Sequence, residues 1–210
     1  MTFLRKHWFD IGLILAVITT LMLRLSKIDY NGLEFLVWLN VIALFLHQFE
    51  EYRYPGYFPG MLNSVIFKSR QPDRYPLNTN SALVINVFLG WTVYIMSAVF
   101  YDEFILLAFV TMLISFGNFI MHTFVMNIKA KTFYNPGQFT ATFLFLPISC
   151  MFFAFLIQYN VLSVTEYIIG ISLGIIINLY GLIKLINVLK NENTDYVFET
   201  RQLIPDKNLL

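Results

Sequence analysis

Residues 45–52 read Phe-Leu-His-Gln-Phe-Glu-Glu-Tyr, which sets His47, Glu50 and Glu51 at i, i+3 and i+4. On a helix these three side chains share one face. Asn118 and His122 repeat an i, i+4 spacing, and the run Tyr134-Asn135-Pro136-Gly137-Gln138 is polar and turn-forming. Two imidazoles with one or two carboxylates are the donor set of zinc and of non-haem iron. A metal held by His47, His122 and Glu50 or Glu51 would leave a position for water, activated for attack on an ester, amide or phosphate. The remaining Glu would serve as general base, and Asn118 would orient a ligand or polarise a carbonyl. The same His and Glu groups also permit acid–base chemistry without a metal, and the residues do not choose between the two.

The elements that must hold these groups are read from the charges. The 210 residues carry 14 Lys and Arg against 13 Asp and Glu, while 58% are hydrophobic and mean hydropathy is +0.65. A soluble domain carries roughly 25% charge, so a soluble globular fold is excluded at the 13% found here. The net charge of +1 provides no basic stripe for a nucleic acid. A single cysteine, Cys150, excludes an internal disulfide and a four-cysteine zinc framework, and its mid-span position reads as core. No charge falls in 11–23, 35–49, 81–101, 104–128, 135–165 or 167–183. About 20 residues cross a hydrocarbon core, so these are six spans, the first two borrowing flanking residues. The first lacks a small-residue cleavage site and reads as a retained helix. The expected fold is all-α, a polytopic membrane helical bundle of about six transmembrane helices.

Lys and Arg distribute unevenly between alternate sides. Arg5, Lys6, Arg53, Lys68, Arg70, Arg74, Lys129, Lys131, Lys184, Lys190, Arg201 and Lys207 fall on one side, and only Arg24 and Lys27 on the other. The positive-inside rule makes the first side, with both termini, cytoplasmic. Residues 1–190 then form one transmembrane bundle, and the polar segment 191–210 reads as a weakly ordered cytoplasmic tail. The long cytoplasmic link contains Tyr54-Pro55-Gly56-Tyr57-Phe58-Pro59-Gly60 and then the apolar 61–67, a pattern that suits a segment lying on the membrane surface. In this topology the second and fourth spans both run inward, so His47, Glu50, Glu51, Asn118 and His122 gather at the cytoplasmic end. The Tyr134 turn opens the fifth span there, with Tyr134, Asn135 and Gln138 read as substrate-facing. Asn40 sits on the His47 face about 10 Å deeper by the helical rise, placed to touch substrate or, more simply, to hydrogen-bond between helices as Asn86 and Asn178 do. Gly170 and Gly174 suit close helix packing or dimerisation.

The motif His47-Gln48-Phe49-Glu50-Glu51, the pair Asn118-x-x-x-His122 and the turn Tyr134-x-Pro136-Gly137 together resemble the HXXEE-domain membrane proteins, over roughly 37–140. That resemblance implies a bacterial integral membrane protein of the inner membrane, with an active site at His47, Glu50, Glu51, Asn118 and His122 and no named substrate. The preferred reading is a membrane-embedded, metal-dependent enzyme with zinc or iron at His47, Glu50, Glu51 and His122. It would act on a lipid-like or amphipathic substrate at the cytoplasmic leaflet, by hydrolysis first and iron-based oxidation second. The link bearing Tyr54, Tyr57, Phe58, Lys68, Arg70 and Arg74 would serve as lid or headgroup site. The alternative is a proton-coupled transporter using His47, Glu50 and His122 as a relay.

Overall fold

The computed structural model describes residues 1–205. Seven helices, with no strand among the described residues, follow in order: α1 (Thr2–Leu25), α2 (Leu33–Tyr52), the short α3 (58–66), α4 (Thr79–Val99), α5 (Ile105–Ala130), α6 (Gln138–Gln158) and α7 (Val164–Leu189). All but α3 are long and apolar enough to cross a membrane. The helix ends follow from local chemistry. Asn78 starts α4 with a capping box, its side chain accepting from the Asn80 and Ser81 amides while Ser81 Oγ accepts from the Asn78 amide. Ser163 and Glu166 start α7 in the same way. Lys131, left-handed at φ 54°, ends α5.

Helix α2 is the axle, with 61% of its apolar window buried against 11–39% for the other spans. It packs on α1 through Trp8, Phe9, Ala16 and Phe45, with Trp91 of α4 edge-on to both Trp8 and Phe45. The central position explains why α2 can carry polar groups. Gln48 accepts from Trp91 Nε1 at 2.6 Å and donates to Asn86 at 3.1 Å, so its buried amide is satisfied as the membrane interior demands. Deeper in the bundle Asn40 accepts from Ser115 at 2.7 Å, and Ser115 meets Tyr94 at 2.9 Å. Asn178 of α7 donates to the Leu113 carbonyl of α5. Gly170 and Gly174 let α7 close on Phe109 and Leu113 of the same chain. Cys150, expected in the core, lies on the exposed face of α6; an isolated thiol mid-span is small and apolar enough to face either protein or lipid.

Helices α3 to α7 each contain a widened, π-helical turn, among them Leu62–Ile66, Met121–Met126 and Ala141–Phe145. Such turns recur at functional sites, and two of these border the residues described below. Segment 58–66 packs into the bundle. Phe58, Met61, Leu62 and Asn63 are buried, and Asn63 clamps the link by donating to the Pro72 and Leu77 carbonyls and accepting from the Leu77 amide.

Even-numbered spans return the chain to its starting end. There Lys6 faces Glu199 at 3.7 Å, Arg5 stacks on Tyr196, and Arg53 pairs with Asp10 at 3.1 Å. Residues 194–205, within the segment whose polarity sets it apart as a tail, lie against the bundle: Thr194, Phe198 and Gln202 recur every fourth residue and are all buried. Gln202 and Arg201 both donate to the Tyr52 carbonyl at the end of α2, where the helix has no further amides to offer it.

Candidate metal centre

The last two turns of α2 deliver His47 and Glu51, and α5 delivers His122 beside them. His122 Nε2 lies 3.3 Å and His47 Nε2 3.6 Å from the same Glu51 oxygen. The two imidazoles stand at right angles, 4.8 Å between ring centres. One ligand atom from each of the three residues falls within 4.8 Å of the others, and all three residues are buried. Neither Nε2 has a hydrogen-bond partner.

Each ring is held by its other nitrogen. His47 Nδ1 is 3.0 Å from Thr140 Oγ1, and His122 Nδ1 is 2.6 Å from Asn135 Oδ1. Phe145 packs on His47 at 4.8 Å and Phe58 on His122 at 5.0 Å, so each imidazole has an aromatic wall. The turn before α6 closes over the group through Gly137, whose φ of +99° few other residues adopt. A Cβ there would overlap the His122 ring and stand 2.9 Å from Cε1 of His47. Glycine is thus required by conformation and by space.

Glu50, expected to bind metal or act in catalysis, lies outside the group of three and aims its carboxylate at the start of α6. It accepts from the Tyr134 hydroxyl at 2.8 Å, the Phe139 amide at 3.1 Å, the Thr140 amide at 2.8 Å and the Thr140 hydroxyl at 2.6 Å. Spacing of i, i+3 gives it the same broad face as His47, but the unpaired amides at the start of α6 present a stronger claim on a carboxylate. Tyr134 accordingly anchors Glu50. Partial desolvation, and then the bond to Glu50, raises the Tyr134 pKa above its ordinary value, which keeps it a donor.

Asn135 and Gln138, read as substrate-facing, knit the turn to the end of α5. The Asn135 amide nitrogen donates to the His122 carbonyl and to Asn127 Oδ1, both at 2.7 Å, while Asn127 donates to Gln138 at 2.9 Å. Asn118, read as orienting a ligand or polarising a carbonyl, bonds back to the Ile114 carbonyl of its own helix at 3.1 Å. His122 lies in the widened turn Met121–Met126, where the α-helical spacing no longer holds along α5. Asn40 also stays outside, in the network with Ser115. Sequence reasoning missed Thr140, Asn127 and Phe145. Asn127 lies five residues after His122, a spacing that faces it in a π-turn and not in an α-helix; Thr140 and Phe145 carry no periodic signal.

In comparison with known proteins, the family described as a protein of unknown function with HXXEE motif matches residues 38–152, more than half of the chain. No curated protein and no solved structure matches it.

Proposed function

The chain belongs to this HXXEE family, and from that premise we propose that it is a membrane-embedded, metal-dependent enzyme, a hydrolase of a lipid or other amphipathic substrate. The observation that carries the reading is the convergence of His47, Glu51 and His122, with both Nε2 atoms buried and unpartnered. Buried polar atoms almost always have partners, and two imidazole nitrogens facing one carboxylate oxygen are best satisfied by a cation. Around a tetrahedral ion with bonds of about 2.0–2.2 Å, ligand atoms stand about 3.3–3.6 Å apart; two of the three separations here, nitrogen to oxygen, are 3.3 and 3.6 Å, and all three atoms lie within 4.8 Å of one another.

His47, Glu51 and His122 would hold the ion, and two histidines with one glutamate leave a position for water. The ion would supply an activated water and a Lewis acid for a carbonyl or phosphoryl oxygen. Phe58 and Phe145 exclude bulk water from the ligands, while Gly137 keeps the space between the rings free of a side chain. The same donor set serves iron, which keeps oxidation second. Tyr54, Phe133, Tyr134, Phe139 and Phe143 are exposed around this end of the bundle. Aromatic side chains favour the membrane–water interface, the depth at which headgroup linkages lie. The centre would face the cytoplasmic leaflet of a bacterial inner membrane, with both termini in the cytoplasm.

The test is metal content of the purified protein together with turnover of extracted lipids. About one equivalent of zinc or iron, and lipid products that disappear in His122→Ala, are expected; an intact, folded protein with no metal ends this reading. Proton-coupled transport is the second reading, favoured by the buried polar ladder of Asn40, Ser115, Tyr94, Thr111 and Ser97 that leads away from the centre. No hydrogen bond among the described residues joins that ladder to His47 or His122. Proton flux in proteoliposomes that depends on His47 would favour transport over hydrolysis.

A further inference from the structure

The two carboxylates of the motif do different things, and the difference can be followed hydrogen by hydrogen. Glu50 receives four donors, two on each oxygen: Tyr134 Oη and the Phe139 amide on Oε1, the Thr140 amide and Thr140 Oγ1 on Oε2. Four donors fill the acceptor sites of a carboxylate and leave none for a hydrogen of its own. The single hydroxyl hydrogen of Thr140 is therefore committed, to Glu50 at 2.6 Å with the Gly137 carbonyl at 3.2 Å as a lesser acceptor. Thr140 Oγ1 can then meet His47 Nδ1 at 3.0 Å only as an acceptor, so the ring hydrogen of neutral His47 sits on Nδ1. Its lone pair is left on Nε2, the atom that faces Glu51.

His122 is fixed in the same sense by a different route. The Asn135 amide nitrogen spends its hydrogens on the His122 carbonyl and Asn127 Oδ1. The backbone carbonyl is an acceptor without ambiguity, so Asn135 Oδ1 is the atom facing His122 Nδ1 and accepts from it. Both rings thus present Nε2 lone pairs to the same carboxylate.

We propose that Glu50 and Thr140 are positioning residues, a carboxylate–hydroxyl relay that sets the tautomer and ring orientation of His47 so that its Nε2 is delivered as a ligand. Asn135 performs that task for His122. The metal part of this inference rests on the function proposed above; the tautomer part does not. Outer partners that orient a ligating histidine typically contribute 10–100-fold to metal affinity, and Thr140 is nearly isosteric with Val, which keeps the branched shape and removes the hydroxyl.

The experiment compares the full-length protein with Thr140→Val and Thr140→Ser, first metal-free and then titrated with Zn²⁺ or Co²⁺. In metal-free protein, nitrogen-15 NMR of the imidazoles should find wild-type His47 as the Nδ1–H tautomer. Thr140→Val should populate the other tautomer at His47 while leaving His122 unchanged, and Thr140→Ser should restore the wild-type signature. Zn²⁺ affinity should fall 10–100-fold in the Val variant and recover in the Ser variant, with a matching change in the visible Co²⁺ bands. Unchanged His47 nitrogen shifts in a folded Thr140→Val overturn the proposal. A wild type that binds neither ion but shows the Thr140-dependent tautomer leaves the relay standing and removes the metalloenzyme reading, so the two failures are told apart. Should Thr140→Val not fold, Asn135→Asp and Thr140→Ser supply the comparison: Ser must keep the His47 signature, and its loss despite the retained hydroxyl counts against the relay.

Discussion

At the residue scale, the adjacent glutamates of the motif differ by one helical step and by everything they touch. Glu51 meets two unpartnered imidazole nitrogens, whereas Glu50 is saturated by donors from α6 and Tyr134. Replacing His47 or His122 with Ala should abolish binding of about one metal equivalent without unfolding the bundle, as measured by elemental analysis beside circular dichroism. Glu51→Gln should weaken binding strongly too, since it exchanges a charged donor for a neutral one. Gly137→Ala is expected to be worse than its size suggests. The backbone conformation alone costs about 1–2 kcal/mol, and the added methyl collides with His122, so metal affinity and melting temperature should fall together.

At the scale of elements, the start of α6 is built into the end of α2 through Glu50. Glu50→Ala would strand the buried amide and hydroxyl of Thr140, each worth about 1–3 kcal/mol when left unpaired, and the part-buried Phe139 amide and Tyr134 hydroxyl. The expected result is loss of stability by about 3 kcal/mol or more, seen as a lowered unfolding temperature in detergent even without metal. Glu51→Ala should lower it far less in metal-free protein, because no hydrogen-bond donor among the described residues is stranded by its loss. The comparison of these two variants tests the division of labour directly. The π-turns matter at this scale as well: His122 sits in one of them, and Asn127, five residues after His122, accepts from Asn135.

For the whole molecule, the charge distribution and the even number of spans agree that both ends of the chain lie together, and the contacts of Lys6, Arg5 and Arg201 with the tail and α2 bring them there. Reporter fusions at either terminus should both read cytoplasmic, while a cysteine placed at Asn31, in the link between α1 and α2, should label from outside. A centre that binds only the folded bundle also stabilises it by linkage, about 2.7 kcal/mol at a free metal concentration one hundred times Kd. Chelation should therefore lower the unfolding temperature of wild-type protein and leave His122→Ala unmoved.

The class of fold and the number of apolar helices were legible in the sequence, because burial in a hydrocarbon layer forbids unpaired charge and so prints the spans as charge-free runs. His47, Glu51 and His122 were legible for the same reason: ionisable groups inside spans stand out. The tertiary structure decided the assignments among neighbours. Whether Glu50 or Glu51 faces the histidines depends on where the amides of α6 lie, and Asn118 spends its amide on the Ile114 carbonyl of its own helix. Thr140, 93 residues from His47 along the chain, could be found only once α6 had been packed against α2, since hydrogen-bond partners across helices are chosen by proximity in space and leave no spacing in sequence.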